Sequence, residues 1–395
     1  MHIGINAQLL SFSQNYRNGG VSRYIRYLLT ELATRPGSHE YTVFVNGQDA
    51  IERLPQHPQI TYISAAWPES KPAVRVAWEQ LTLPSLIRQK QIEVLHSPVN
   101  VLPEWVPRSC ATVVTLHDLA FLRFPYVLTR AKRIYHQTFT IRSLRRATMV
   151  ITVSDSTQRD AHELVGIPNG RLQTVYPCID ERFSTIYEEE QIAAFREQHG
   201  LTDGFILYLG TLEPRKNIIT LIDAYAQLRQ KYELREKLVL AGGKGWLYDA
   251  IFAKVQQLGL ETEVVFPGFV ADTEQALWYR AASAFAYPSL YEGFGIPVAE
   301  ALACGVPVVT SNVSSLPEAG AQIALCVDPH SVDALTEALY QAITDPIFRE
   351  KCHTLAPSIA QRFSARVMAE RTIAVYEQAA HALQQRSQHR TSIVR

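Results

Sequence analysis

Short apolar runs separated by amphipathic stretches recur along this chain, and that rhythm constrains its fold more than any other feature. Residues 2–7 (HIGINA) read as a strand, followed by an amphipathic helix over 19–35 with Val21, Ile25, Leu28, Leu29 and Leu32 on one face. Strands are expected at 41–45 (YTVFV), 92–97 (IEVLHS), 112–118 (TVVTLHD), 149–154 (MVITVS) and 174–177 (TVYP). A helix is expected over 129–147, and Ser154-Asp155-Ser156 offers a cap to another entering at Thr157. Most of these strands are continuous apolar runs rather than alternating ones, as in a parallel sheet covered on both faces. The rhythm then restarts, with strands expected at 205–210, 237–242, 263–268, 283–289, 306–311 and 324–328. Two doubly wound α/β domains account for this pattern, joined through the polar segment around 181–203. The expected bounds are 1–185 and 200–363, with a closing helix over 364–385 capped by Ser364 and a polar tail that frays beyond Gln384.

The length of 395 residues supports two cores of this kind, at a prior of about one domain per 150 residues. Lysine plus arginine number 38 and aspartate plus glutamate 38, and this balance argues against a general nucleic-acid binder. The longest apolar runs are strand-sized, so no bilayer span is expected. The opening MHIGINAQLL lacks a basic region, an apolar stretch and a cleavage site, so no signal peptide is expected either. Cys110, Cys178, Cys304, Cys326 and Cys352 are scattered without a CxxC pair, which fits buried thiols in a reducing cytoplasm.

Two segments carry candidate chemistry. In Gly210-Thr211-Leu212-Glu213-Pro214-Arg215-Lys216-Asn217, a buried strand ends and a helix over 218–230 opens. Ligands of open α/β sheets bind beyond the carboxyl ends of the strands, where free helix N–H groups and two cations suit a phosphate. The plain alternative is a capped turn with two solvated charges. In Pro288–Ala301, Glu292 lies on a loop, Gly293 and Gly295 permit close backbone approach, and Pro297 opens a helix carrying Glu300. Both carboxylates could grip hydroxyl groups in one cleft; alternatively they are a turn glutamate and a helix-start glutamate favoured by the dipole. Glu300 stands among Val298, Ala299, Ala301 and Leu302, where a carboxylate needs a partner.

Glu292-(x7)-Glu300, with Gly293, Gly295 and Pro297 between, resembles the donor signature of retaining glycosyltransferases of family 4, the large GT-B family. Gly19-Gly20-Val21 resembles the N-terminal glycine loop of that family, LHD at 116–118 its inter-domain histidine strand, and ITVS at 151–154 the strand before the cleft. GTLEPRKN at 210–217 is similar to its phosphate loop and FSARVMAERTIAVYE at 363–377 to its closing helix, so the likeness spans nearly the whole chain in order. The resemblance implies a GT-B fold: two Rossmann-like domains facing across a cleft, with the final helix crossing back. It implies that Glu300 holds the ribose hydroxyls of the nucleotide and Glu292 a hydroxyl of the donor sugar. Arg215 and Lys216 would neutralise the diphosphate leaving group, with Gly210 and the backbone of Gly293, Phe294 and Gly295 around the donor. His117 would touch the sugar near the anomeric carbon, and Gly19 and Gly20 would let their loop approach the phosphate and acceptor.

Chemistry agrees with that assignment, because glycosyl transfer builds positive charge at the anomeric carbon and negative charge on the departing phosphate. A divalent metal held by Asp-x-Asp could serve the phosphate instead, but none of the 12 aspartates has an aspartate two positions away. No metal or other cofactor is expected, and front-face attack guided by the leaving phosphate follows from the family. His117-Asp118 alone is too sparse for zinc. From the residues alone His117 is a hydrogen-bonded strand-end histidine, and Asp118 orients a loop or caps a turn.

GGKGW (242–246) lacks dinucleotide spacing and suits a tight turn near the nucleotide, with Lys244 by a phosphate. Residues 266–270 (FPGFV) lie where such folds place the base. Arg130, Lys132, Arg133, Arg142, Arg145 and Arg146 form a basic stretch without an acidic residue, suited to anionic lipid or simply a solvated face. Phe121, Phe124, Pro125 and Tyr126 flank the acceptor or pack a loop. Acceptor specificity is expected in the loops around 8–20, 65–80 and 119–130.

The wording of LHD and EPRKN most resembles bacterial mannosyltransferases of the family. The expected activity is therefore a cytoplasmic transfer of hexose, by preference mannose from GDP-mannose, to a glycan or lipid-linked glycan, possible at the inner membrane face. UDP-glucose, UDP-N-acetylglucosamine and UDP-galactose users share the signatures. The other class is a two-domain sugar or nucleotide binder without turnover. A transport protein would want an export signal, a repressor a leading helix-turn-helix, and neither needs Arg215-Lys216 beside paired glutamates.

Overall fold

The structure is a computed structural model that describes residues 1–12, 19–34, 37–65, 72–124, 133–134, 136–184 and 187–393. It divides into two compact units, Met1–Cys178 with Ala365–Arg395, and Ile179–Ser364.

The first unit is built on a seven-stranded sheet of β1 (His2–Ala7), β2 (Glu40–Asn46), β3 (Ile60–Ala65), β4 (Val94–Ser97), β5 (Ala111–Leu116), β6 (Met149–Thr152) and β7 (Leu172–Thr174), in the order β3-β2-β1-β4-β5-β6-β7. Every pairing is parallel. The strands bury side chains on both faces. Ile3, Ile5, Val43, Val94 and Val113 join a core with the helix Gly20–Thr34, while Phe44, Leu95, Val114 and Leu116 join one on the other face. This double burial is why most of the strands carry no polar alternation, β1 with His2, Gly4 and Asn6 between its apolar residues being an exception. The expected cap forms: Ser154 Oγ accepts the Thr157 N–H at 2.9 Å and Gly166 closes the helix Asp155–Val165 at φ 76°, a pairing of N-cap and left-handed C-cap worth about 1 kcal/mol at the N-terminal end.

Two readings need correction in this unit. β3 was not foreseen: it is an edge strand in which only Ile60 and Ala65 are buried, so it lacks the continuous apolar run of its neighbours. The strand expected at 174–177 lies at Leu172–Thr174, and Val175 follows it with its N–H on Thr152 O. The helix expected over 129–147 is met where it is described, as a π-helical stretch, His136–Thr140, running into an α-helix, Ile141–Arg146; residues 125–132 and 135 lie outside the described residues.

The second unit carries six parallel strands, β8 (Phe205–Leu209), β9 (Lys237–Ala241), β10 (Val264–Gly268), β11 (Ala284–Tyr287), β12 (Val308–Ser311) and β13 (Leu325–Val327), in the order β10-β9-β8-β11-β12-β13. The polar segment expected as a join belongs here. Its helix, Glu189–Gln198, is closed by a capping box between Glu188 and Gln191 and packs Phe195 edge-on against Trp278 at 5.0 Å. The boundary therefore falls after Cys178.

The closing helix, Ala365–Ile393, returns to the first unit, where Met368, Ala369, Val375, Tyr376 and Ala379 enter the core with Ile25 and Leu28. It runs past Gln384 rather than fraying there, since 384–393 holds no glycine or proline to stop it. Among the described residues no helix is long and apolar enough to cross a membrane. The five cysteines are free thiols, with only Cys326 exposed.

Candidate functional site

In the second unit the sheet order reverses between β8 and β11, which are direct neighbours. The loops leaving these two strands flank the crevice where an open sheet binds its ligands. The β8 loop carries Arg215 and Lys216 on a single 3₁₀ turn, Pro214–Lys216, and Asn217 at φ 58° then starts the helix Ile218–Tyr232. The β11 loop carries Glu292 and leads through Gly295, at φ 105°, into the helix Ile296–Ala303. A side chain at Gly295 would meet Leu316 Cδ2 at 2.9 Å, so both space and backbone demand glycine.

The two loops are tied together through Glu292. Its Oε2 accepts from Arg215 Nη1 at 2.9 Å and its Oε1 from Lys216 Nζ at 2.6 Å. Arg215 also donates to Glu213 Oε1 at 2.9 Å and to the Tyr291 carbonyl at 2.6 Å, and its own carbonyl receives the Leu290 N–H. Lys216 is only 7% exposed and donates a second bond to the Tyr287 hydroxyl at 2.6 Å. Burial pushes the Glu292 carboxyl up, but Lys216 and Arg215 outweigh it and hold the group at about 2. With two cations and two carboxylates, Glu213 and Glu292, the cluster is formally neutral. The loop after β12 holds the Glu292 backbone, as Ser314 Oγ accepts its N–H and Ser315 Oγ donates to the carbonyls of Glu292 and Phe294.

Glu300 is 4% exposed, and the partner its apolar setting demands is Tyr279, whose hydroxyl donates to Oε2 at 2.9 Å. Phe294 is buried with its ring edge-on to Phe363 at 5.2 Å, so its side chain packs the core. Gly210 lies directly under the β9 loop: a Cβ on Gly242, at φ 141°, would stand 1.9 Å from the Gly210 oxygen. Lys244 rests over the Tyr248 ring at 4.9 Å and the Phe252 ring at 5.5 Å. In the β10 segment Phe266 stacks on Phe252 at 4.4 Å and Phe269 stands 66% exposed.

His117, Gly19 and Gly20 belong to the first unit. His117 follows β5, its Nε2 is 3.0 Å from the Pro98 carbonyl, and its ring meets Tyr24 edge-on at 5.4 Å. The carbonyl can only accept, so Nε2 carries the proton and Nδ1 keeps its lone pair. Burial lowers its basicity. Asp118 caps the next turn, taking the Ala120 N–H at 3.0 Å. Gly19 and Gly20 open the helix Gly20–Thr34, with Gly19 O accepting from Arg23; residues 13–18 before them lie outside the described residues. Of the basic stretch, Arg130 and Lys132 lie outside the described residues. Arg142 and Arg146 both pair with Glu104, at 2.9 and 2.8 Å, and Arg145 donates to the Val165 carbonyl, so a carboxylate from elsewhere offsets part of that charge. Phe121 is buried and Phe124 half-buried, whereas Pro125 and Tyr126 lie outside the described residues.

Sequence reasoning missed the partners. Glu213, Tyr279, Tyr287, Ser314 and Ser315 are brought in by the fold. Only the position of Tyr287 at a strand's carboxyl end and the Ser-Ser-Leu-Pro-Glu helix start after β12 signalled them.

Comparison with known proteins places the chain in a family. The pattern described as Glycosyl transferases group 1 matches residues 190–358, and that described as Glycosyltransferase Family 4 matches residues 18–183. An Escherichia coli protein named O-antigen chain mannosyltransferase B is 30% identical over 369 residues, covering 91% of this chain and 96% of that one. A Mycolicibacterium smegmatis protein named GDP-mannose-dependent alpha-(1-6)-phosphatidylinositol monomannoside mannosyltransferase is 27% identical over 360 residues, covering 84% and 87%. The solved structure of sucrose-phosphate synthase from Thermosynechococcus elongatus, 21% identical, superposes with a TM-score of 0.74 over 96% of this chain and 99% of that one. With its two parallel-sheet Rossmann-like units and these relatives, the chain belongs to the family 4 glycosyltransferases of GT-B fold.

Proposed function

We propose that this glycosyltransferase moves mannose from GDP-mannose, with retention and without a metal, onto a glycan or lipid-linked glycan in cell-surface polysaccharide synthesis. The observation that carries the reading is the Arg215–Lys216 pair at the β8/β11 switch point, Lys216 buried and Arg215 half-buried, with Glu292 bridging both cations. Two cations fixed by neighbouring loops meet the charge that grows on a leaving diphosphate, the task for which other enzymes use a divalent metal. The diphosphate enters by taking over bonds that Glu213 and Glu292 now make, and Glu292 is then released to a sugar hydroxyl. Glu300, oriented by Tyr279, takes the ribose hydroxyls. His117 offers Nδ1 as an acceptor to a hydroxyl of the donor sugar. Mannose is favoured by the names of the two relatives, one an O-antigen chain mannosyltransferase and one GDP-mannose-dependent.

The test is slow donor hydrolysis without acceptor: release of GDP or UDP from a panel of nucleotide sugars, with and without EDTA. Release from GDP-mannose alone, unaffected by EDTA and lost in Arg215→Ala and Glu292→Ala variants that remain folded, is the expected result. Release only from a UDP-sugar overturns the donor assignment, and loss with EDTA overturns the metal-free mechanism. No binding of any nucleotide sugar would turn the reading to a protein without turnover.

A further inference from the structure

A second polar cluster lies in the first unit, at the carboxyl end of the sheet where its own strand order reverses between β1 and β4. Asn6, the penultimate residue of β1, faces the side opposite Ile3, Ile5 and Ala7, towards the helix Pro72–Leu81. There its Nδ2 donates to Glu79 Oε1 at 3.1 Å. Arg75, one turn earlier on the same helix, donates from Nη1 to both Glu79 oxygens at 3.0 Å. Trp78 anchors the helix against Phe44 of β2, 6.2 Å between rings, which fixes the height of Glu79 over the strand end.

The cluster is over-supplied with acceptors. The Glu79 side chain is 5% exposed and Asn6 is 2% exposed, and Asn6 Oδ1 is buried without a hydrogen-bond partner. Turning the Asn6 amide over does not relieve this, since it would set a carbonyl against the carboxylate. Glu79 Oε2 takes one N–H from Arg75, leaving further lone-pair capacity. Burial raises the Glu79 carboxyl despite Arg75 and Asn6, as expected of a carboxylate short of donors. An orphaned buried acceptor is unfavourable, a cost that a ligand bringing donors would remove. Arg75 and Glu79 cancel in charge, so the cluster selects no ion. What it lacks is O–H donors.

We propose that Asn6, Arg75 and Glu79 form a hydroxyl-binding subsite for the acceptor saccharide, in which two neighbouring hydroxyls donate to Asn6 Oδ1 and Glu79 Oε2 while Arg75 donates to a sugar oxygen. This inference rests on the glycosyl-transfer reading for the word acceptor; the chemistry it requires is that of a neutral polyol. Its position agrees, because residues at the carboxyl ends of β1, β4 and β5, His117 among those that follow, share one end of the sheet.

The competing account makes Arg75–Glu79 an ordinary i,i+4 pair that ties a helix down. The two accounts part on the double variant Arg75→Met/Glu79→Leu. Replacing a buried ion pair by apolar side chains of similar size is often neutral for stability, yet it erases the subsite. The readout is saturation-transfer NMR of methyl glycosides of mannose, glucose, galactose and N-acetylglucosamine, without donor, with melting temperature and far-UV circular dichroism as controls of folding. The expected result is binding of at least one glycoside by the unaltered protein and a tenfold or larger loss in the double variant. If the double variant fails to fold, Asn6→Ser, which removes the orphaned carbonyl and keeps the ion pair, must show a loss of at least threefold. Binding equal to that of the unaltered protein in the folded variant, or no binding of any glycoside by the unaltered protein, overturns the proposal. Glycoside binding needs no turnover, so a failure of nucleotide-sugar hydrolysis would strike the proposed reaction without deciding the subsite.

Discussion

Replacing Glu292 with glutamine keeps the size of the side chain and removes the charge that Arg215 and Lys216 share. Lys216 would then be an ammonium only 7% exposed, left with the Tyr287 hydroxyl and a neutral amide. The carboxyl stands at about 2 against an ordinary 4.5, a depression worth about 3 kcal/mol at roughly 1.4 kcal/mol per tenfold. That agrees with the ~3–5 kcal/mol lost when one partner of a buried pair is removed. For a unit of this size the melting transition should fall by roughly 6–12 °C. Because the folded-state value is depressed, the Glu292 contribution is fully present above pH 4.5 and is lost as pH falls through about 2. The gap between the two proteins should therefore narrow below pH 4.5 and nearly close near pH 2. The same deficit reappears in ligand binding with opposite sign. A diphosphate supplies the missing negative charge, and recovery of half the deficit makes GDP bind about tenfold tighter to the variant, while turnover falls because the sugar loses its carboxylate. Calorimetric titration with GDP and thermal melts at pH 3 to 7 measure both. Unchanged stability together with equal or weaker GDP binding would refute the argument that this carboxylate and the diphosphate compete for the same cations.

Gly242→Ala should separate the β8 and β9 loops, since its Cβ would lie 1.9 Å from the Gly210 oxygen at φ 141°; nucleotide affinity should drop more than tenfold. Gly243→Ala, with nothing within 4 Å, should be neutral; equal effects of the two substitutions would dispose of the steric argument. In the first unit, burial holds His96 at about 3, with Nδ1 bonded to the Tyr376 hydroxyl at 2.7 Å and Nε2 to Thr115 at 2.9 Å. An ordinary histidine titrates near 6.5, so the stability from a neutral His96 is whole above pH 6.5. It is lost as pH falls towards about 3, by up to about 5 kcal/mol. Nitrogen-15 shifts of the ring followed from pH 7 to 4 should show no protonation in the native state, and titration near 6.5 would contradict the burial argument.

What the sequence made legible follows from how each element is buried. β8 and β11 are buried almost throughout, so an unbroken apolar run announced them; β3 is an edge strand with two buried residues and made no such announcement. The helix Glu189–Gln198 buries only Phe195 and therefore looked like a polar join, although that one ring docks it to Trp278. In the site, Arg215, Lys216, Glu292 and Glu300 were visible because their spacing resembles a known family. Their pairing was not, because Lys216 and Glu292 stand 76 positions apart and meet only where the strand order reverses. Tyr279 and Tyr287 were hidden for a related reason: on a helix face and in a strand, a tyrosine looks like core until its hydroxyl is seen to serve a buried charge.

The neutrality of the Arg215–Lys216–Glu213–Glu292 cluster has a consequence for the catalytic cycle. Two such weakly exposed cations without counter-charges would destabilise the ligand-free fold and would hold a departing nucleoside diphosphate too tightly, since charge-assisted bonds in a poorly hydrated site are strong. In the proposed reaction Glu213 and Glu292 would lower both extremes, neutralising the cations before the donor arrives and reclaiming them as the diphosphate leaves. On that proposal part of the donor's binding energy would go into displacing carboxylates, and the sugar would gain a carboxylate only once the phosphate is seated. Arg75 and Glu79 follow the same logic in the first unit, where an ion pair balanced in charge leaves hydrogen-bonding capacity, not charge, to choose the ligand. On the two proposals each unit would recognise by exchange of partners, the one for a diphosphate and the other for hydroxyls, and a substitution that removes only one charge from either cluster should cost more than one that removes both.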